Sequence, residues 1–350
     1  MNLHETHLFR EIHEQPAALE RFLSTGLEPV RALAERLRKE NIRHVFIAAR
    51  GTSDNAGRYA QYLFGIQNRL LVSLATPSLF SIYQRPPDLH ETLTLGISQS
   101  GQSPDLVAVL AEANRQGGLT AAITNHPESP MGAEAKIIIP LLAGTERSLA
   151  ATKTYTTQLA ALAALSALLS VSSQAALDEL QQIPPAISAV LKYSDEIEEI
   201  AERYRYMQHC VVIGRGLNYA TAFELSLKLK ELTYTIAEPY SSADFLHGPF
   251  ALVEPGFPVF LIAPQSVVLP ELLHFLERLG ERRGEVISIS DVPDVFKHAT
   301  RNLPLPVTLP EHLSPISAIV PGQLFAMFLA NTRGIDVDHP RGLSKITETT

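Results

Sequence analysis

The apolar positions near the start of the chain recur at helical intervals. From Pro16 to Glu40, residues Leu19, Phe22, Leu23, Leu27, Val30, Leu33, Ala34 and Leu37 fall three or four residues apart, which predicts a helical stretch over 16–40. The pattern then changes. Val45–Ala49 is a short unbroken apolar run stopped by Gly51, and similar runs follow at Leu70–Ala75, Leu93–Ile97, Leu119–Thr124 and Ile137–Leu142. Helical spacing returns between them at Asp54–Phe64 and Pro104–Arg115. Short strands apolar on both faces, alternating with helices, predict a parallel sheet covered on both sides.

The pattern then repeats. Val45-Phe46-Ile47-Ala48-Ala49-Arg50-Gly51 falls on Cys210-Val211-Val212-Ile213-Gly214-Arg215-Gly216. Leu119–Thr124 falls near Val286–Ser290, and Gln158-Leu159-Ala160-Ala161-Leu162 falls on Gln323-Leu324-Phe325-Ala326-Met327. The offset stays near 165 residues, so one α/β unit is duplicated. Ser172–Arg205 joins the copies. Its Pro184-Pro185 and the charged run Asp195-Glu196-Ile197-Glu198-Glu199 predict a structured helical linker, since a floppy tether would carry more Gly and Ser.

Composition narrows the function. A length of 350 residues suits two domains. A net charge of −8, with no Lys/Arg-rich run, argues against nucleic acid or anionic lipid as a partner. Cys210 is the one cysteine, which rules out an internal disulfide or a cysteine-based zinc site, and its apolar surroundings predict a buried strand residue. The N-terminus lacks the features of a signal peptide, and the longest apolar helical stretch is read as Leu159–Val171, too short for a bilayer. A cytoplasmic protein is expected.

In parallel α/β sheets ligands bind beyond the carboxyl ends of the strands. Two such loops are rich in donors: Gly51-Thr52-Ser53-Asp54-Asn55-Ala56-Gly57 and Ser98-Gln99-Ser100-Gly101-Gln102-Ser103-Pro104. Hydroxyls before a helix usually serve only as caps, and Ser103 is a natural N-cap with Pro104 in the first turn. Ser98, Gln99, Ser100 and Ser103 together exceed what a cap needs, and a helix N-terminus attracts an anion. Neither loop ends in the Gly-Lys-Ser/Thr of a nucleotide loop, and Gly214-Arg215-Gly216 lacks the third glycine of a dinucleotide fingerprint. A phosphate monoester is the expected ligand.

The second copy carries candidates for acid–base chemistry. Glu224, Lys228 and Glu231 lie on one face of a helix. Such a stripe is commonly a solvated run of ion pairs, but this helix has apolar residues on its other faces, so part of its charge must point inward. A carboxylate there would be tuned toward use as a base. His247 precedes Gly248-Pro249 on a turn that exposes its ring. Asp336, Asp338 and His339 read as a turn in a polar C-terminus, and no metal site stands out. Proton transfer of this kind needs no metal or other cofactor if a carboxylate carries the proton.

These motifs resemble the tandem sugar isomerase (SIS) domains that form the isomerase half of glutamine-dependent glucosamine-6-phosphate synthase. The likeness runs from Glu11 to Lys345 through Gly51-Thr52-Ser53, Ser98-Gln99-Ser100-Gly101, Ala143-Gly144-Thr145-Glu146, Leu227-Lys228-Leu229-Lys230-Glu231, His247-Gly248-Pro249 and Asp336-Val337-Asp338. It implies two doubly wound, flavodoxin-like parallel-sheet domains, at 28–172 and 200–340, with a helical segment 1–27 before them and a tail 341–350 closing over the site. By resemblance, Ser98, Gln99, Ser100 and Ser103 hold the 6-phosphate, and Gly51, Thr52 and Ser53 meet the sugar. Leu149 and Ser344 complete the binding set. Glu231 carries the proton between C1 and C2, Lys228 belongs to the same catalytic motif, His247 assists ring opening from a neighbouring subunit of a homodimer, and Lys345 forms an imine with the open-chain ketose.

The departures bear on the substrate. No glutaminase domain or N-terminal cysteine nucleophile is expected ahead of these motifs. Gln102-Ser103 replaces the usual Glu-Thr, Ala151 stands for a serine near the sugar, and Leu246 replaces a lysine beside the histidine. The expected function is therefore an isomerase/deaminase turning an amino sugar phosphate such as glucosamine 6-phosphate into fructose 6-phosphate and ammonia. Three alternatives stand beside it: a deglycase of a phosphorylated sugar–amine adduct, the isomerase subunit of a glutamine–fructose-6-phosphate aminotransferase, and a non-catalytic sugar-phosphate sensor.

Overall fold

The computed structural model describes residues 3–342, 344 and 345. It contains two five-stranded sheets, parallel throughout. The first holds β1 (His44–Ala49), β2 (Leu71–Leu74), β3 (Thr92–Ser98), β4 (Leu119–Thr124) and β5 (Ile137–Pro140), in the order β2-β1-β3-β4-β5. The second holds β6 (His209–Gly214), β7 (Ile236–Ser241), β8 (Pro258–Ile262), β9 (Glu285–Ser290) and β10 (Arg301–Pro304), in the order β7-β6-β8-β9-β10. The two orders are the same when read from the first strand of each copy, so the duplication holds at the level of topology. Helices follow the strands in both copies, which makes the fold α/β and doubly wound.

The chain divides into two compact units that are not contiguous in sequence. The first-sheet unit comprises residues 17–146 and 153–181 with 344 and 345. The second-sheet unit comprises 3–16, 147–152 and 182–342. The expected N-terminal segment 1–27 is thus shared between units after Pro16, and a six-residue strap from within the first copy's sequence belongs to the second unit. That strap is tied to the N-terminal helix His7–His13: the buried Glu11 carboxylate accepts from the Ser148 amide at 3.1 Å and hydroxyl at 2.5 Å, and from the Arg147 amide.

The central strands β3 and β4 are buried at every position, as their unbroken apolar runs require. Phe46, Leu106, Val109, Leu110 and Met131 form the core on one face. The helix Gly51–Asn68 packs on the buried helix Lys153–Leu169 in the same unit. In the second-sheet unit, Val211, Ile213, Phe245, Val259, Phe275 and Leu276 form the corresponding core. The helix Tyr219–Thr233 packs on Ser314–Thr332.

The longest apolar helix is Ser314–Thr332, not the Leu159–Val171 stretch. With its lead-in from Glu311 it is long and apolar enough to cross a bilayer, but the whole apolar window is buried inside the protein. The linker forms three short helices, Ser173–Leu180, Ile183–Leu191 and Ser194–Arg203, the second opened by Pro184 and Pro185.

Candidate active site

In both copies the first strand ends in Arg-Gly. Arg50 is extended (φ −139°, ψ 153°) and Gly51 turns left-handed (φ +53°); Arg215 (φ −146°, ψ 149°) and Gly216 (φ +60°) repeat the geometry. A residue with a Cβ is strained at that φ, which is why glycine stands there. The turn lets the helix Gly51–Asn68 start at once, with Thr52 half-buried and Ser53 buried. The amide of Ser53 closes on the Arg50 carbonyl at 3.1 Å.

β1 and β3 are neighbours, with Ala49 opposite Ile97, so their two loops leave the same edge of the first sheet side by side. Ser98 is buried, and its hydroxyl accepts from the Gly101 amide at 3.0 Å. Gly101 sits at φ +64°, and a Cβ there would lie 2.0 Å from the Ser129 hydroxyl oxygen. The Ser100 hydroxyl accepts from the Gln102 amide at 3.3 Å. Gln99 is half-buried and fixes the loop through its carbonyl, which accepts from the Asn125 amide at 3.2 Å. Ser103 occupies the N-cap of Pro104–Arg115 but makes no capping hydrogen bond through its side chain. The expected cap is thus a cap by position only. Three serines around a helix N-terminus present donors where an anion is favoured.

Arg50 ties these two loops together. Its Nε and Nη2 donate to Asp105 Oδ2 at 2.9 and 2.7 Å, and Asp105, in the first turn after Ser103, is fully buried. In the second copy Arg215 Nη2 meets Glu271 at 2.7 Å, again in the first turn of the helix after the third strand. The loops differ, however. At the 165-residue offset, Ser98, Ser100 and Ser103 correspond to Ala263, Gln265 and Val268. The Gln265 and Val267 amides donate to the chain's own Asp291 (2.8 Å) and Glu311 (3.1 Å) carboxylates. The second loop therefore holds anionic oxygens internally, and the first keeps the hydroxyls.

The second-sheet unit carries Glu224, Lys228 and Glu231 on the helix Tyr219–Thr233. The side chains of Glu224 and Lys228 are 0% and 1% exposed, whereas Glu231 is 20% exposed. Lys228 Nζ donates to Glu231 at 2.5 Å and lies 3.5 Å from Glu224. The stripe is therefore internal, and Glu231 is the member that reaches an opening. His247 is exposed, at the C-cap of Ser242–Leu246, with Gly248 following at φ +135°. Phe245 is buried before it and packs against Phe275 and Phe250 behind it, with ring centroids 6.0 Å apart in both pairs. The histidine loop is thus held at both feet. Leu149, on the 147–152 strap, is half-buried.

In the first-sheet unit, Glu146 is fully buried; Thr154 donates to it from its amide (3.1 Å) and hydroxyl (2.7 Å), and Lys345 Nζ lies 3.7 Å away. Ser344 is exposed. In the second-sheet unit the Asp338 carboxylate caps His7–His13 through the His7 (2.8 Å) and Leu8 (3.0 Å) amides. Of the tail expected to close over the site, residues 343 and 346–350 lie outside the described residues. Arg50, Asp105 and Gln158 were not among the sequence candidates. Arg50 and Gln158 stood in repeated segments, and repetition at one offset was the available signal.

A family profile for the SIS domain matches residues 37–168 and 205–329. The glutamine–fructose-6-phosphate aminotransferase (isomerizing) of Aquifex aeolicus (strain VF5) is 34% identical over 339 residues, covering 97% of this chain and 57% of that protein. The chain thus spans a little under three fifths of the curated relatives it matches. The C-terminal domain of glucosamine-fructose-6-phosphate aminotransferase from Francisella tularensis superposes with a TM-score of 0.88 at 30% identity, over 96% of this chain and 98% of that one. A protein from Silicibacter pomeroyi DSS-3, described as a phosphosugar isomerase, superposes with a TM-score of 0.86 at 32% identity, over 95% and 100%. With a parallel sheet of one order in each copy and a profile match in each, the chain belongs to the SIS domain family.

Proposed function

We propose that this chain is a sugar-phosphate isomerase/deaminase that converts an amino sugar phosphate, such as glucosamine 6-phosphate, into fructose 6-phosphate and ammonia. The observation that carries the reading is the serine loop, in which Ser103 sits at a helix N-cap without using its hydroxyl there. Ser98, Gln99, Ser100 and Ser103 take the phosphate, and Gly51, Thr52 and Ser53 the sugar. His247 moves a proton from the C1 hydroxyl to the ring oxygen, which opens the ring to the aldehyde. Glu231 then removes the C2 proton and returns it to C1, while the C1 oxygen gains a proton and the amine loses one, leaving a C2 imine that water hydrolyses to the ketose and ammonia. Lys228, hydrogen-bonded to Glu231, fixes the carboxylate's orientation. Lys345 is the amine for a ketose imine.

The exposure of His247 supports a homodimer in which the histidine serves a neighbouring subunit. An active monomer in sedimentation would remove that part. A cytoplasmic location goes with the reading, because sugar phosphates are charged and do not cross membranes unaided. A second reading has support in the relatives, which are aminotransferases: the chain would be an isomerase subunit whose ammonia comes from another protein.

Incubation with glucosamine 6-phosphate is expected to release ammonia and fructose 6-phosphate. Under the second reading, net synthesis would appear instead when fructose 6-phosphate is supplied with ammonia. Glu231→Gln should stop turnover and leave binding of the phosphate ester nearly intact. Full activity in that variant would remove Glu231 from the mechanism, and binding without any turnover in the natural protein would favour a sensor.

A further inference from the structure

Gln158 sits in the buried helix Lys153–Leu169 and is 1% exposed. Its Nε2 donates to the Ser53 hydroxyl oxygen at 3.0 Å. Its other amide atom, Oε1, is buried with no hydrogen-bond partner among the described residues. Orphaned amide oxygens in an interior are disfavoured, and a leucine of similar volume would avoid the problem. A glutamine at this position therefore does more than fill space. The contact with Ser53 offers a reason. A hydroxyl has one proton, and here the oxygen is already accepting from Gln158. Among the described residues no acceptor takes the Ser53 proton, so it is left to point away from the helix.

The duplicate sharpens the point. Gln323 stands at the equivalent place, 1% exposed and with its Nε2 likewise unsatisfied among the described residues, but its Oε1 accepts from the Gln15 amide at 2.9 Å, and the residue equivalent to Ser53 is Asn218, which donates to Ser314 at 2.8 Å. The glutamine is repeated in both copies, while only the first copy aims it at a hydroxyl on a ligand loop.

We infer that Gln158 is a positioning residue that turns Ser53 into an obligate donor toward the bound sugar phosphate. The inference rests on the reading that the first-sheet loops hold a sugar phosphate. Because Ser53 cannot donate back to an amide N–H, its proton is presented to an oxygen of the ligand at no rotational cost on binding.

The test is a double-mutant cycle with Gln158→Leu and Ser53→Ala, read by calorimetric titration with fructose 6-phosphate and glucosamine 6-phosphate and by thermal unfolding. Gln158→Leu should weaken binding about tenfold, equivalent to about 1.4 kcal/mol, while Tm stays level or rises as the orphaned oxygen is removed. On the Ser53→Ala background the same substitution should change affinity less than twofold. A Gln158→Leu protein that binds as the natural one does, or whose effect is undiminished without Ser53, would overturn the inference. If Gln158→Leu fails to fold, Gln158→Met supplies the same reading with a more adaptable side chain. Failure of the natural protein to bind either sugar phosphate would instead refute the proposed function.

Discussion

The ion pair between Arg50 and Asp105 makes an asymmetric prediction. The Asp105 side chain is 0% exposed and that of Arg50 is 50% exposed. Arg50→Met keeps the apolar stem but strands a carboxylate in the interior, and an uncompensated buried charge costs about 3–5 kcal/mol. Asp105→Asn leaves a guanidinium that is already half in water and can rehydrate. An asparagine oxygen can still accept from the Leu106 amide, which now lies 2.9 Å from Oδ1. What is lost is the charge component of two hydrogen bonds, about 1–2 kcal/mol. The arginine substitution should therefore be more damaging by about 2–3 kcal/mol, roughly 30- to 150-fold in an unfolding constant. Since the chain contains no tryptophan, urea unfolding is best followed by far-UV circular dichroism. Amide exchange on peptides spanning β3 and the helix Pro104–Arg115 would show where protection is lost. Both variants should also weaken sugar-phosphate binding, because the pair joins the two ligand loops. Equal losses for the two variants, or a larger loss for Asp105→Asn, would mean that the carboxylate is not buried as described.

Lys228→Met removes the ammonium between Glu224 and Glu231 and should cost about 3–5 kcal/mol, a clear fall in Tm; an unchanged Tm would show that water reaches the cluster. Gly101→Ala combines a strained backbone with a clash against Ser129, so it should cost about 1–3 kcal/mol and weaken phosphate-ester binding; wild-type affinity would disconnect Gly101 from the loop's function. Burial pushes the Cys210 thiol up to about 12, so a thiol-specific reagent at pH 8 should modify it only after denaturation. Fast labelling of the native protein would contradict its place in β6.

The first copy's strands, with β6 and β9 in the second, were legible because their runs are apolar without alternation, whereas β7, β8 and β10 were not singled out. Leu119–Thr124 and Pro104–Arg115 fall at the expected residues. The 16–40 helix is in fact two, Gln15–Thr25 and Leu27–Lys39, broken at Gly26. Leu23, Leu27 and Val30 keep their helical spacing across the break, so periodicity could not reveal it. Ser314–Thr332 was passed over because Pro321, Gly322 and Gln323 interrupt its apolar run, although burial on every side allows them. The serine loop and the Glu231 helix were readable because their residues are close in sequence. The partners of Arg50 and Ser53 were not, since Asp105 and Gln158 come to them only through the sheet and the packing of one helix on another. The tail was read as a polar terminus, yet Asp338 caps the first α-helix of the chain, a pairing no local pattern contains.

The strap at 147–152 has a consequence for how such a gene can be cut. A single crossover in the linker would separate two halves that match the two copies in sequence, but not the two units in space. The distal half would leave behind Glu11 and the Ser148 it grips, together with the N-terminal helix that Asp338 caps. Swapping one lobe for a homologue's would thus demand five junctions rather than one. Once such a strap is established, the duplicated lobes are bound to be inherited together, and each can then diverge only as half of a pair.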